Sequence, residues 1–306
     1  MDLYTMMKDY AGSDDPSRMV QNGDEYLNIF PDKKVKIPVD TNLVRQNGTV
    51  NPGDSVVSEV DFDIPKSALG KNESAILNMM AANKWKRPIY FTSPYDELGF
   101  QNYLRTDGLT YRFVPVKNSE VNRDWAYDVM MKKFVFGNAN VKGVYYDEEN
   151  RRHLNTIRMQ YAQVGMNLAD HNKKDDAKKM LEKCDKMLLQ ENFPYGLVSR
   201  RQQQDQISGQ FLLAAYKAGD TVLAQKVSQS LRKDLEQQIT YFNSLDENKQ
   251  QALAYENQIV QQLLQQLQGM EQYFKSNPEL NPETKNPVIN NIPVPKKEKP
   301  VNDKTQ

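Results

Sequence analysis

"LADHNKKDDAKKML" (168–181) and "AYKAGDTVLAQKVS" (215–228) fall into register when the chain is slid along itself by 47 residues. Asn172 and Gly219 then share one place, in a turn between two helical patterns. Ala177 and Ala224 share another, five residues further on. Asn and Gly best tolerate the left-handed conformation that ends a helix. A small residue early in the next helix lets two antiparallel helices approach closely. Met180 with Val227, and Cys184 with Leu231, continue the match on the apolar face. The spacing predicts two helical hairpins with an insertion around "QENFPYGLVSRR" (190–201).

This turn-plus-alanine pattern resembles tetratricopeptide repeats, although the usual period is shorter and the aromatic positions are only partly filled. Stacks of this kind serve binding or scaffolding. Around the hairpins, apolar spacings of three and four predict helices over 150–170, 175–190, 199–218 and 221–245. A Gln-rich helix over 247–276 either docks on the repeats or projects into a coiled coil. Residues 150–276 therefore read as one helical domain. Residues 277–306, dominated by proline and charge, read as a disordered tail. Residues 122–149 read as a linking helix, around Trp125 and Val129 and ended by Gly137, and a connector.

Residues 1–121 have a different grammar. "VKIPVD" and "VVSEVDFDIP" carry the β-branched residues and partial alternation of strands, and "NESAILNMMAANKW" (72–85) has helical spacing. "NKWKRPIYFTSPYDELGFQNYLRTDGLTYRFVPVK" (83–117) reads as strand, helix and strand, with the helix over 97–106 stopped by Gly108. Helices joining strands favour parallel neighbours. The strands are too few for a full sheet. The fold class expected is α+β: a small, partly truncated α/β domain, then a mainly helical domain of tetratricopeptide-like hairpins.

The 306 residues carry 40 basic and 40 acidic side chains, a balance that argues against a duplex nucleic-acid binder. Apolar residues make up 39% and charged residues 26%, enough for a core of moderate size. The single cysteine, Cys184, excludes an intrachain disulfide and reads as a buried structural thiol. No stretch approaches the ~20 apolar residues of a membrane span.

Nucleophile-elbow, phosphate-loop and HExxH motifs are absent from the sequence. His153 and His171 lie about 27 Å apart along one expected helix, at ~1.5 Å per residue, so they cannot share a metal. No metal site and no cofactor is expected. Two acidic pairs remain: Asp61 and Asp63 on one face of a strand, and Asp96 and Glu97 after a strand, where ligands of α/β sheets bind. Beside the second pair stands a basic–aromatic group, Lys84, Trp85, Lys86, Arg87, Tyr90 and Phe91. Its rings could stack on a sugar or anchor a helix to the sheet. Candidate substrate-binding residues are thus Trp85, Arg87, Tyr90, Asp96 and Glu97. Candidate partner contacts on the helices are Tyr161 and Tyr216.

In order, "ILNMMAANKWKRPIYF", "YLRTDGLTYRFVPVK" and "GVYYDEENRRHLNTIRMQYAQVGMNLADHNKKDDAKKMLEKCDKML" resemble the C-terminal soluble part of the DUF2723 membrane proteins of Bacteroidetes. Those proteins are grouped with the GT-C type glycosyltransferases, family 117, and are related to protein O-mannosyltransferases. The resemblance implies that multiple membrane spans come first and carry the catalytic acids, so no catalytic residue transfers to this chain. It implies a periplasmic module at the bacterial inner membrane, non-catalytic, whose partners are its own transmembrane domain and an acceptor protein or glycan. The alternatives are an autonomous carbohydrate-binding or carbohydrate-active domain and a purely structural repeat domain.

Overall fold

The structure, a computed structural model, describes residues 1–277. Apart from Asn277, the tail expected at 277–306 lies outside the described residues. The chain is α+β with a helical C-terminal region. It divides between Phe134 and Val135 into two compact units.

The first unit begins with a short helix, α1 (Leu3–Met6), and an isolated hairpin of β1 (Met19–Asn22) and β2 (Glu25–Asn28). β3 (Lys34–Pro38) pairs antiparallel with β4 (Glu59–Asp63), and the short helix α2 (Thr41–Gln46) lies between them in sequence. Alternation sends Val35, Ile37, Val60 and Phe62 into the core and leaves Lys36 and Glu59 outside, 2.5 Å apart. α3 (Lys71–Asn83) starts where the Glu73 carboxylate accepts the Gly70 N–H, and it buries Leu77, Met80 and Ala81. β5 (Tyr90–Phe91), β6 (Leu104–Asp107) and β7 (Thr110–Phe113) form a sheet in the order β5-β7-β6, and α4 (Arg123–Lys132) closes the unit. This helix ends at Lys132, ahead of the Gly137 expected to stop it.

Two expectations for this unit are corrected. All the strand pairs of these sheets are antiparallel, and the helix expected over 97–106 is a single turn at Gln101–Tyr103 followed by β6. The cause lies in two glycines. Gly99 has φ +90°, and a Cβ there would stand 1.9 Å from the Asp63 carbonyl oxygen, so the chain turns sharply against β4 instead of coiling. Gly108, φ +65°, opens a two-residue hairpin turn between Asp107 and Thr110. The left-handed tolerance that suits a helix stop suits a hairpin equally well.

The second unit is built from α5 (Glu148–Asp170), α6 (Lys174–Met187), α7 (Gln203–Lys217) and α8 (Thr221–Asn243). Its two hairpin junctions are built alike. Asn172 (φ +62°) and Gly219 (φ +73°) are both left-handed. Lys173 N–H donates to Leu168 O at 2.9 Å, and Asp220 N–H donates to Ala215 O at the same distance. Ala177, Ala224, Met180, Val227, Cys184 and Leu231 are all buried.

The Gln-rich segment breaks at Leu253 into α9 (Glu247–Ala252) and α10 (Ala254–Ser276). α10 docks on α7 and α8. Its Phe274 stacks on Tyr216, and its Glu271 is held by Ser228 and Arg232.

Candidate functional site

The basic–aromatic segment makes a rigid platform. Lys84 and Trp85, directly after α3, both have positive φ (+47° and +61°). Such backbone strain in non-glycine residues persists only where the surroundings impose it. Here the Asn83 side chain closes the loop: its Oδ1 accepts Arg87 N–H at 3.0 Å and its amide donates to Arg87 O at 2.6 Å. The Asn47 amide takes the Trp85 carbonyl at 2.8 Å, and the Trp85 indole N–H donates to Pro38 O at 2.8 Å. Trp85 also stacks on Phe113, 5.1 Å between centroids, which meets Phe100 edge-on. Phe100 in turn packs on Tyr95 and Phe91.

Beside this platform lies a cleft of about 350 Å³. Trp85, Leu3, Ile37 and Ala81, all largely buried, give it apolar walls, and Asp2, Tyr4, Asp40 and Lys84 supply its polar side chains. Asp2 Oδ1 accepts Thr5 N–H at 3.0 Å, and Asp40 Oδ1 accepts Asn42 and Leu43 N–H at 3.1 and 3.0 Å. The Lys84 ammonium sits 4.9 Å from the centre of the Tyr4 ring. The volume falls within the ~300–1,000 Å³ of small-molecule sites.

Of the five substrate-binding candidates, only Trp85 lines this cleft. Arg87 is exposed on the loop. Tyr90 is exposed on β5 with the Arg112 guanidinium over its ring. Asp96 is exposed. Glu97 pairs with Lys66 at 2.7 Å, and Lys66 also holds Glu73. Those two carboxylates hold the Lys66 ammonium well above its ordinary range. The acids expected beside Trp85 therefore do not join it in one pocket. Asp61 and Asp63 share an exposed face, and the Tyr103 hydroxyl, donating at 2.8 Å, holds Asp61 below the usual carboxylate range.

The helical candidates are core residues. Tyr161 is fully buried against Phe136, and Tyr216 is stacked face to face on Phe274 at 4.4 Å. Their rings fill space between helices, which removes Tyr161 as a surface contact and leaves Tyr216 only a partly open edge. Cys184 is buried, and burial pushes its thiol up to about 12. His153 and His171 stand on the surface, next to Glu149 and to the Asn167 carbonyl. Among the described residues, no group of three His, Cys, Asp or Glu side chains is gathered to hold a metal ion.

Two buried charges in the second unit escaped the sequence reading. Arg158 is 1% exposed, its guanidinium lying between the Phe193 and Tyr195 rings at 4.2 and 4.5 Å. It donates to Phe193 O, Pro194 O and Ser208 Oγ at 2.9, 3.1 and 3.2 Å, and so pins the inserted segment. Asp205 is buried close to Asp234, and the Gln238 amide nitrogen lies 3.4 Å from one carboxylate and 2.6 Å from the other. Burial first, and Asp234 second, raise Asp205 to about 7. Burial raises Asp234 as well. A signal existed for Arg158, which follows Leu154 and precedes Tyr161 at helical spacing on the buried face of α5.

A family model described as TMEM260-associated domain 2 matches residues 1–133. Its span is nearly that of the first unit and includes none of the helices α5–α10. Comparison with curated proteins and with solved structures gives no match.

Proposed function

We propose that this chain is a non-catalytic extramembrane module of a membrane-embedded glycosyltransferase, acting in protein O-glycosylation at the periplasmic face of a bacterial inner membrane. The observation that carries the reading is the match of residues 1–133 to a domain named for its association with TMEM260, which suits a membrane setting. The resemblance of its segments to the DUF2723 proteins supplies the chemistry. No helix among the described residues is long and apolar enough to cross a membrane, so in this reading the spans belong elsewhere. The repeated hairpins of α5–α8 offer a helical surface to an acceptor or partner protein.

A carbohydrate-active site in this chain is the weaker reading, because Asp96 and Glu97 do not line the cleft of Trp85. The test is rescue. Cells lacking this chain lose modification of acceptor proteins, and adding back the chain with Asp96→Asn and Glu97→Gln restores it. Failure of the folded double variant, where the unaltered chain succeeds, overturns the non-catalytic assignment.

A further inference from the structure

The cleft beside Trp85 carries charges of both signs, and that mixture selects its occupant. Asp2 and Asp40 each commit Oδ1 to the start of a helix, which leaves Oδ2 of each as an acceptor. The Lys84 ammonium, over the Tyr4 ring, is a donor in the same cleft. A cationic ligand meets Lys84, and an anionic ligand meets two carboxylates, in a recess where water screens charge less than in bulk. A neutral, hydroxyl-rich ring meets neither obstacle. Its hydroxyls donate to the carboxylates and accept from the ammonium, and such charge-assisted hydrogen bonds are the strong ones. Its C–H face suits an apolar recess in which the Tyr4 ring, 41% exposed, is the open aromatic surface and Trp85 shows only an edge.

We propose that this cleft binds one neutral sugar residue of a glycan. The walls are set before binding, because Trp85 is fixed by the Pro38 carbonyl, the Asn47 amide and the Phe113 ring. A site fixed in this way loses little conformational freedom when the ligand arrives. The assignment rests on the chemistry of the cleft and not on the membrane reading, so either can fail without the other.

The experiment uses the full chain with Trp125→Phe, which leaves Trp85 as the one remaining tryptophan of two. Methyl mannoside, methyl glucoside, methyl galactoside, N-acetylglucosamine and their common disaccharides are titrated, read by Trp85 fluorescence and by saturation-transfer NMR. At least one binds in the millimolar range or tighter. Lys84→Gln and Asp40→Asn each weaken it at least about fivefold, the scale on which a neutral hydrogen bond replaces a charge-assisted one. Asn at position 40 keeps the helix cap, so circular dichroism stays unchanged. Asp96→Asn leaves affinity unaltered. The proposal is overturned by an absence of saccharide binding, by tighter binding of choline or glucose 6-phosphate than of any neutral sugar, or by unchanged affinity in the Lys84 and Asp40 variants.

Discussion

Asp170 and Lys217 occupy the same position in the two helical hairpins, 47 residues apart, and the Lys217 ammonium lies 2.9 Å from both Asp170 carboxylate oxygens. Equivalent ends of α5 and α7 are thus held side by side. The Asp170 side chain is half exposed, so solvent screening leaves the pair worth only ~0.5 kcal/mol. Lys217→Met lowers stability by about that amount in urea unfolding. Ala224→Leu, at a fully buried junction, lowers it by ~1–3 kcal/mol because an overpacked hairpin must splay.

Arg158 secures the inserted segment through its flat, forked shape. Arg158→Met leaves the Phe193 carbonyl without its donor, leaves Pro194 O to the Gln204 amide alone, and removes the charge between two rings. The expected cost is ~3 kcal/mol. Arg158→Lys recovers little of it, since an ammonium cannot reach both carbonyls in one plane. Urea unfolding together with limited proteolysis at 190–201 checks both the cost and its location.

Asp205 makes stability depend on pH. Its carboxyl is raised from an ordinary 3.8 to about 7 in the folded chain. Between those values the folded state holds a proton that the unfolded state has released, so stability falls as pH rises through this window and levels off above it. The change attributable to this group across the whole window is on the order of 4 kcal/mol, at about 1.36 kcal/mol per unit. Asp205→Asn retains an acceptor for the Leu197 N–H and flattens the profile. Chemical denaturation between about pH 3 and about pH 8, roughly one unit beyond each end of this window, reads the difference directly.

The sharp turn of the first unit depends on two small features. Gly99→Ala puts a methyl group into the Asp63 carbonyl at a backbone angle that alanine avoids, and costs at least ~3 kcal/mol. Asn83→Ala opens the loop that presents Trp85 and costs ~1–2 kcal/mol through two lost hydrogen bonds. Thermal unfolding separates the two.

The helical half was legible because its signals are local. Left-handed Asn172 and Gly219, with an alanine five residues on, announce both hairpins without knowledge of any distant contact. The first unit was less so, since Gly99 owes its role to a strand 36 residues earlier, and nothing near position 99 reveals Asp63. Segment 97–106 therefore kept a helical look that tertiary packing overrides. For the candidate site, Trp85 stood out by type. Asp2, Tyr4 and Asp40 did not, because the fold brings them to Trp85 from two separate stretches. Asp205 gave no sign, since its burial depends on α8 supplying Asp234 and Gln238.

Cross-linking mass spectrometry on intact membranes from cells making this protein at native levels tests the central claim most directly. The account predicts cross-links from lysines of residues 1–134 to extramembrane loops of a multi-spanning glycosyltransferase, whether in the same polypeptide or another. Cross-links confined to soluble proteins, with none to a multi-spanning protein, would contradict it.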